Sequence, residues 1–108
     1  MLDRLVETAA LLVAMQRALP FDVGLMPGLM AGLARGPKPV AVKPVETVTG
    51  ISYAGDEGGI LCHISPSDAD SRVVVSLTHV RVPRTLPFAA AALTYQKHRV
   101  KKLKQQQG

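Results

Sequence analysis

Tryptophan is absent from this 108-residue sequence, and aromatic rings are limited to two tyrosines and two phenylalanines. Four rings leave little material for a surface that stacks nucleic-acid bases or for a large aromatic ligand pocket. Cysteine occurs once, at Cys62, which excludes an internal disulfide framework and any cysteine-rich zinc module. Long apolar runs are missing too. The longest, Ala9 through Met15, follows Asp3, Arg4 and Glu7 and is followed by Gln16 and Arg17, far short of the roughly 18 apolar residues of a membrane span. Acids ahead of that run, and Gln16-Arg17-Ala18-Leu19-Pro20 behind it, also argue against a secretory signal. A cytoplasmic protein with no membrane partner is expected.

What is present is the composition of an ordinary folded domain, 47% hydrophobic and 19% charged. A chain of this length can bury about 60–70% of the surface its unfolded form exposes. We expect one α+β domain over residues 1–104 and a frayed tail over 105–108. Thirteen basic and eight acidic residues give a net charge of +5, and its distribution is uneven. Residues 1–94 balance to zero, so the whole excess comes from Lys97, Arg99, Lys101, Lys102 and Lys104, with His98 among them.

Residues 3–19 read as a helix ended by Pro20. Leu2, Leu5, Val6, Ala9, Leu12, Val13 and Leu19 recur near helical spacing, while Asp3, Arg4, Glu7 and Thr8 mark a polar side. That polar side is lost further along, at Leu11, Ala14 and Met15, and a helix apolar nearly all round is buried on two sides. In so small a domain one of those sides can be another subunit. A short second helix is expected over 27–35, with Pro27 in its first turn and Gly36 at its end. Gly28 and Gly32 lie four apart within it, a spacing that permits close helix approach. Pro37-Lys38-Pro39 is a stiff connector.

From residue 40 the period becomes two. Val40–Val42 with Val45–Tyr53 reads as a first strand, bulged at Pro44 and therefore at a sheet edge. Residues 54–59 form a turn, 60–65 a second strand, 66–71 a second turn and 72–82 a third strand, together a three-stranded antiparallel meander. Centring the turns sets Ile51 opposite Cys62 opposite Val75 on the core face, with Tyr53, Ile60 and Leu77, and Thr49, Ile64 and Val73, in flanking rows. The other face carries Ser52, Leu61 and Ser76, then Gly50, His63 and Val74, then Val48, Ser65 and Arg72. Val80 and Val82 fall out of phase, which requires a bulge near Thr78-His79 or cover on both faces. Thr85 and Pro87 open a last helix running to about residue 104, with Ala89, Ala92, Leu93, Gln96, Val100 and Leu103 as its buried stripe.

The basic end of that helix could neutralise phosphates through Lys97, Arg99, Lys101, Lys102 and Lys104. Cations in the last turns of a helix are also favoured by its dipole, and without a recognition pattern any nucleic-acid binding would be weak and non-specific. Bulky apolar residues are too few beneath the charges for a membrane-surface helix. Cys62 and His63 are neighbours on a strand and point to opposite faces, so they do not form a nucleophile–base pair, and Cys62 reads as core. His63, His79 and His98 have no ligand spacing, so no metal is expected. Asp56-Glu57 and Asp68/Asp70 read as turn residues, although Gly55–Gly59 could serve as a binding loop. His63 opposite Gly50, with Ser52 and Ser76 beside it, is a candidate small-molecule or enzymatic site.

No catalytic signature and no cofactor motif is present. The leading expectation is a non-catalytic protein-interaction module that self-associates as a two-fold dimer through the first helix or the sheet. Non-specific nucleic-acid binding by the basic helix and a ligand site at His63 are the alternatives.

Overall fold

A computed structural model of the chain describes residues 3–37, 39–66 and 72–107. Met1, Leu2, Lys38 of the connector, residues 67–71 of the second expected turn with Asp68 and Asp70, and Gly108 lie outside the described residues. The elements are α1 (Leu5–Ala18), β1 (Phe21–Leu25), α2 (Pro27–Arg35), β2 (Val45–Tyr53), β3 (Ile60–Ile64), β4 (Val73–Ser76), β5 (Val80–Arg81) and α3 (Ala89–Gln107). Short 3₁₀ turns occupy Gly55–Glu57 and Leu77–His79. The α+β class and the antiparallel sheet are as expected, but the sheet has five strands in the order β4-β3-β2-β1-β5.

Two features of the sequence concealed the extra strands. Phe21–Leu25 sits between a proline and a helix, yet alternates, with Phe21, Val23 and Leu25 buried and Asp22 exposed. The expected third strand is two strands, because the 3₁₀ turn at Leu77–His79 breaks it and Val80–Arg81 then pairs with β1 at the far edge. That turn is the irregularity implied by the phase of Val80. The chain from Ser76 to Val80 can reach only about 14 Å, whereas opposite edges of a flat five-stranded sheet lie about 19 Å apart. The sheet is therefore strongly curled, with its two edges drawn toward each other.

The central rows fall in the expected register: Ile51 opposite Cys62 opposite Val75, and Gly50 opposite His63 opposite Val74. Beyond Gly50 the pairing slips, so that Val48 pairs with Ile64 and the irregularity falls at Thr49. The slip carries Val48 to the core face, where it is fully buried. Nor is β2 an edge strand. It is the centre of the sheet, and Pro44 precedes it with its carbonyl accepting from Leu25 N at 2.8 Å, so the missing N–H interrupts no ladder.

Both long helices are turned relative to the stripe their periodicity suggested, although Ala92 and Gln96 of the α3 stripe do face the body of the protein. In α1 the buried residues are Thr8, Leu11 and Met15, so the stripe through Val6 and Val13 faces outward. In α3 the buried residues are Ala92, Tyr95 and Arg99, while Leu93 and Val100 are exposed. Phe88, just before α3, meets Phe21 edge to face with centroids 4.9 Å apart. Burying the two large rings of Phe88 and Tyr95 and pairing Arg99 determine how α3 is turned. Leu93 and Val100, at the margin of that stripe, are left outside.

Candidate functional site

His63 lies on the outer face of the sheet, as its strand parity requires. Its Nε2 is 2.8 Å from Ser52 Oγ, its Nδ1 is 3.5 Å from Arg72 Nη1, and its ring lies over Gly50. The guanidinium can only donate, so a neutral ring that accepts from Arg72 at Nδ1 carries its proton on Nε2, toward Ser52. A serine nucleophile needs the opposite arrangement, with a free lone pair at Nε2 and a carboxylate behind the ring. Ser76 is held elsewhere, sharing a 2.7 Å hydrogen bond with Thr78 and accepting from Thr78 N at 3.2 Å. The geometry thus unites His63, Ser52 and Gly50 and separates Ser76 from them.

Cys62, on the opposite face, is fully buried, and burial pushes its thiol up to about 12. No thiolate is present at neutral pH, consistent with a packing role. Among the described residues no group of three or more His, Cys, Asp or Glu side chains could hold a metal ion.

The basic residues of α3 divide into two populations. Arg99 is buried, 3% exposed, and its Nη1 lies 3.1 Å from both carboxylate oxygens of Asp3. Its Nη2 donates to the Asp56 carbonyl at 2.8 Å. Tyr53 donates to Asp3 Oδ2 at 2.8 Å, and Tyr95 accepts from Ile60 N at 2.9 Å and reaches Asp3 Oδ2 at 3.5 Å. Burial raises the Tyr53 hydroxyl to about 12 and the Tyr95 hydroxyl in the same direction, with the Asp3 carboxylate adding to both. A guanidinium so paired has no free donor fork for a phosphate. Lys97, Lys101, Lys102 and Lys104 are exposed.

This buried cluster also governs the 54–59 turn. Gly59 has φ +64°, and a Cβ there would fall on the Tyr95 hydroxyl and within 2.8 Å of Arg99 Cζ and Nη1. The turn is clamped onto α3 by Arg99, and with it the expected binding loop. Nothing in the local pattern of residues 3, 53, 56, 59, 95 and 99 marks them as partners. The only sequence signal was an acid near one terminus and a cation within an otherwise amphipathic helix.

The outward surfaces are where apolar residues lack cover. On α1, Val6 is 82% exposed and Val13 50%, and Ala9 and Ala10 between them are exposed as well. Between α1 and α3 runs a hollow of about 270 Å³ bordered by Glu7, Leu11, Ala91, Thr94 and His98. No helix among the described residues is long and apolar enough to cross a membrane. No protein-family model matches the chain, and neither does any curated protein or solved structure.

Proposed function

We propose that this chain is a small non-catalytic protein-interaction module that pairs with a second copy of itself through the outward face of α1. The observation that carries this reading is the exposed stripe Val6, Ala9, Ala10 and Val13. Its i, i+3, i+4, i+7 spacing is that of one helix face, and it lies opposite the face that buries Leu11 and Met15. The stripe is symmetric about its centre. In an antiparallel two-fold pair, Val6 of each copy meets Val13 of the other, and the alanines lie at the crossing, where small side chains permit close approach. Glu7 is exposed but stands about 100° around the helix from Val6, and no charged side chain lies on the stripe itself before Arg17 at its end. One helix face is smaller than a standard interface of about 1,600 Å², which suits a reversible pair better than an obligate one.

Sedimentation velocity over a concentration series tests this. The wild type is expected to pass from monomer to dimer, and Val6→Glu or Val13→Glu to remain monomeric with unchanged circular dichroism, because both side chains are already in solvent. A wild type that stays monomeric to about millimolar concentration, or charged variants that dimerise equally well, would overturn it.

A further inference from the structure

A second surface, on the other side of α3 from α1, combines exposed apolar residues with charge of one sign. Three adjoining hollows of about 450, 530 and 520 Å³ share Met26 as a common wall. Two of them lie between α3 and, on the other side, the 3₁₀ turn at Leu77–His79 and the chain leaving β5, and the third continues past Met26 along α2 and His79, so that together they make one trough. Its apolar floor is Met26, Leu29, Val82, Leu93 and Val100, of which Leu93 is 51% exposed and Val100 40%. Its rim carries Arg81, Arg84, Lys97, Lys101 and Lys104, and no acidic side chain among the described residues lines any of the three hollows. The helix dipole explains cations near the C-terminus of α3, but it does not explain Arg81 and Arg84, which lie in a separate segment facing the same trough.

From these features we infer that the trough is a docking site for an acidic amphipathic helix of a partner protein. Length, charge and floor all support that occupant. Lining residues on α3 extend from Ala89 to Lys104, about 22 Å at the helical rise, which accommodates about four turns of a second helix. Lys97, Lys101 and Lys104 are spaced by single helical turns, so glutamates one turn apart on the partner meet them in succession. Apolar side chains at i, i+3 or i+4 and i+7 of the partner would cover Leu93, Val100 and Met26, in the helix-in-groove mode. Nucleic acid would match the charge but not the floor, which is aliphatic and offers no aromatic ring for base stacking. This site is separate from the α1 stripe and does not depend on pairing through it.

The test is fluorescence anisotropy with a labelled synthetic peptide of about 15 residues, with leucines on one helical face and glutamates on the others. A scrambled peptide of the same composition and a random-sequence DNA duplex serve as comparisons. The patterned peptide is expected to bind, and the scrambled peptide and the duplex to bind at least about tenfold more weakly. Lys97→Glu combined with Lys101→Glu, and separately Leu93→Asp, are each expected to lower affinity for the patterned peptide at least about tenfold. All these side chains are exposed, and unchanged melting temperatures would establish that the variants fold. Val6→Glu is expected to bind the peptide like the wild type, which separates this site from self-association. Failure of the patterned peptide to bind, equal binding of the scrambled peptide or the duplex, or indifference to the rim and floor substitutions would overturn the proposal.

Discussion

Arg99 and Asp3 stand 96 positions apart in the sequence and close a buried ion pair with Nη1–Oδ distances of 3.1 Å. The pair joins the segment preceding α1 to the middle of α3, and through Tyr53 and the Asp56 carbonyl it also holds β2 and the turn that follows it. A cation assigned by composition to a solvent-facing basic helix is an internal strut.

Removing one member leaves the other as an uncompensated buried charge. Asp3→Ala and Arg99→Met are each expected to lower stability by about 3–5 kcal/mol in urea denaturation. The double variant should lose clearly less than the two single losses combined, because no unpaired charge remains.

The glycines of the chain should rank by their surroundings. Gly59 has a positive φ and no room for a Cβ, Gly55 has φ +62° with open space, and Gly32 lies in α2 with nothing within 4 Å of a Cβ. Gly32→Ala is expected to stabilise by about 0.5–1 kcal/mol. Gly55→Ala should cost about 1–2 kcal/mol for the left-handed conformation. Gly59→Ala should cost the most, since the same strain is compounded by displacement of Tyr95 and Arg99. Thermal melts of the three variants establish the order. Gain rather than loss at Gly32 would also show that the Gly28/Gly32 spacing supports no close helix contact.

Stability should fall at alkaline pH, and Cys62 should begin the fall. The unfolded thiol loses its proton around 9.0 and the folded one around 12, so between these values the native state binds one more proton. The contribution is fully present below pH 9 and declines as pH rises toward 12, by about 1.4 kcal/mol per pH unit. Tyr53 and Tyr95, also shifted upward, act in the same direction above their ordinary value of 10.0. Denaturation curves of Cys62→Ala from pH 8 to 10 should therefore be flatter than those of the wild type, a difference calibrated against the usual thiol titration.

Gln96 donates through Nε2 to the carbonyls of Leu77 and Val80, 2.7 Å from each, and so pins α3 to the turn that carries the chain across to β5. Gln96→Met is expected to cost about 1–3 kcal/mol by leaving two acceptors without that donor. Gln96→Glu should cost more at neutral pH despite its near-identical shape, because it sets a carboxylate against both carbonyls. Melting temperatures of the two variants decide the order.

Local periodicity was sufficient for much of the scaffold. Pro27, Gly36 and the apolar spacing between them placed α2, Pro20 ended α1, and centring the two turns expected at 54–59 and 66–71 set the register of Ile51, Cys62 and Val75. These features depend on residues within a few positions of one another, so they are legible without knowing the rest of the fold. The placing of His63, Ser52 and Gly50 on one face followed from the same parity, whereas the His63–Ser52 hydrogen bond was seen only in the structure. By contrast, β1 was hidden in a proline- and glycine-rich stretch, and Val73–Arg81 looked continuous although its two halves lie on opposite edges of the sheet. Nothing short of the curled sheet itself distinguishes those cases.

The amino-acid sequence by itself determined the balanced charge of residues 1–94, the single structural thiol, the surplus of apolar residues in α1 and the concentration of cations in α3. Which side of each helix those residues occupy was decided only by the tertiary structure. Helical spacing alone left both helices more than one way to turn. Contacts from distant segments chose between them: the sheet took Leu11 and Met15, and Phe21, Asp3 and the Ile60 amide took Phe88, Arg99 and Tyr95. That choice turned Val6 and Val13 outward on α1. It also buried one cation of the basic helix and set three of the others, with Arg81 and Arg84, around an exposed apolar trough.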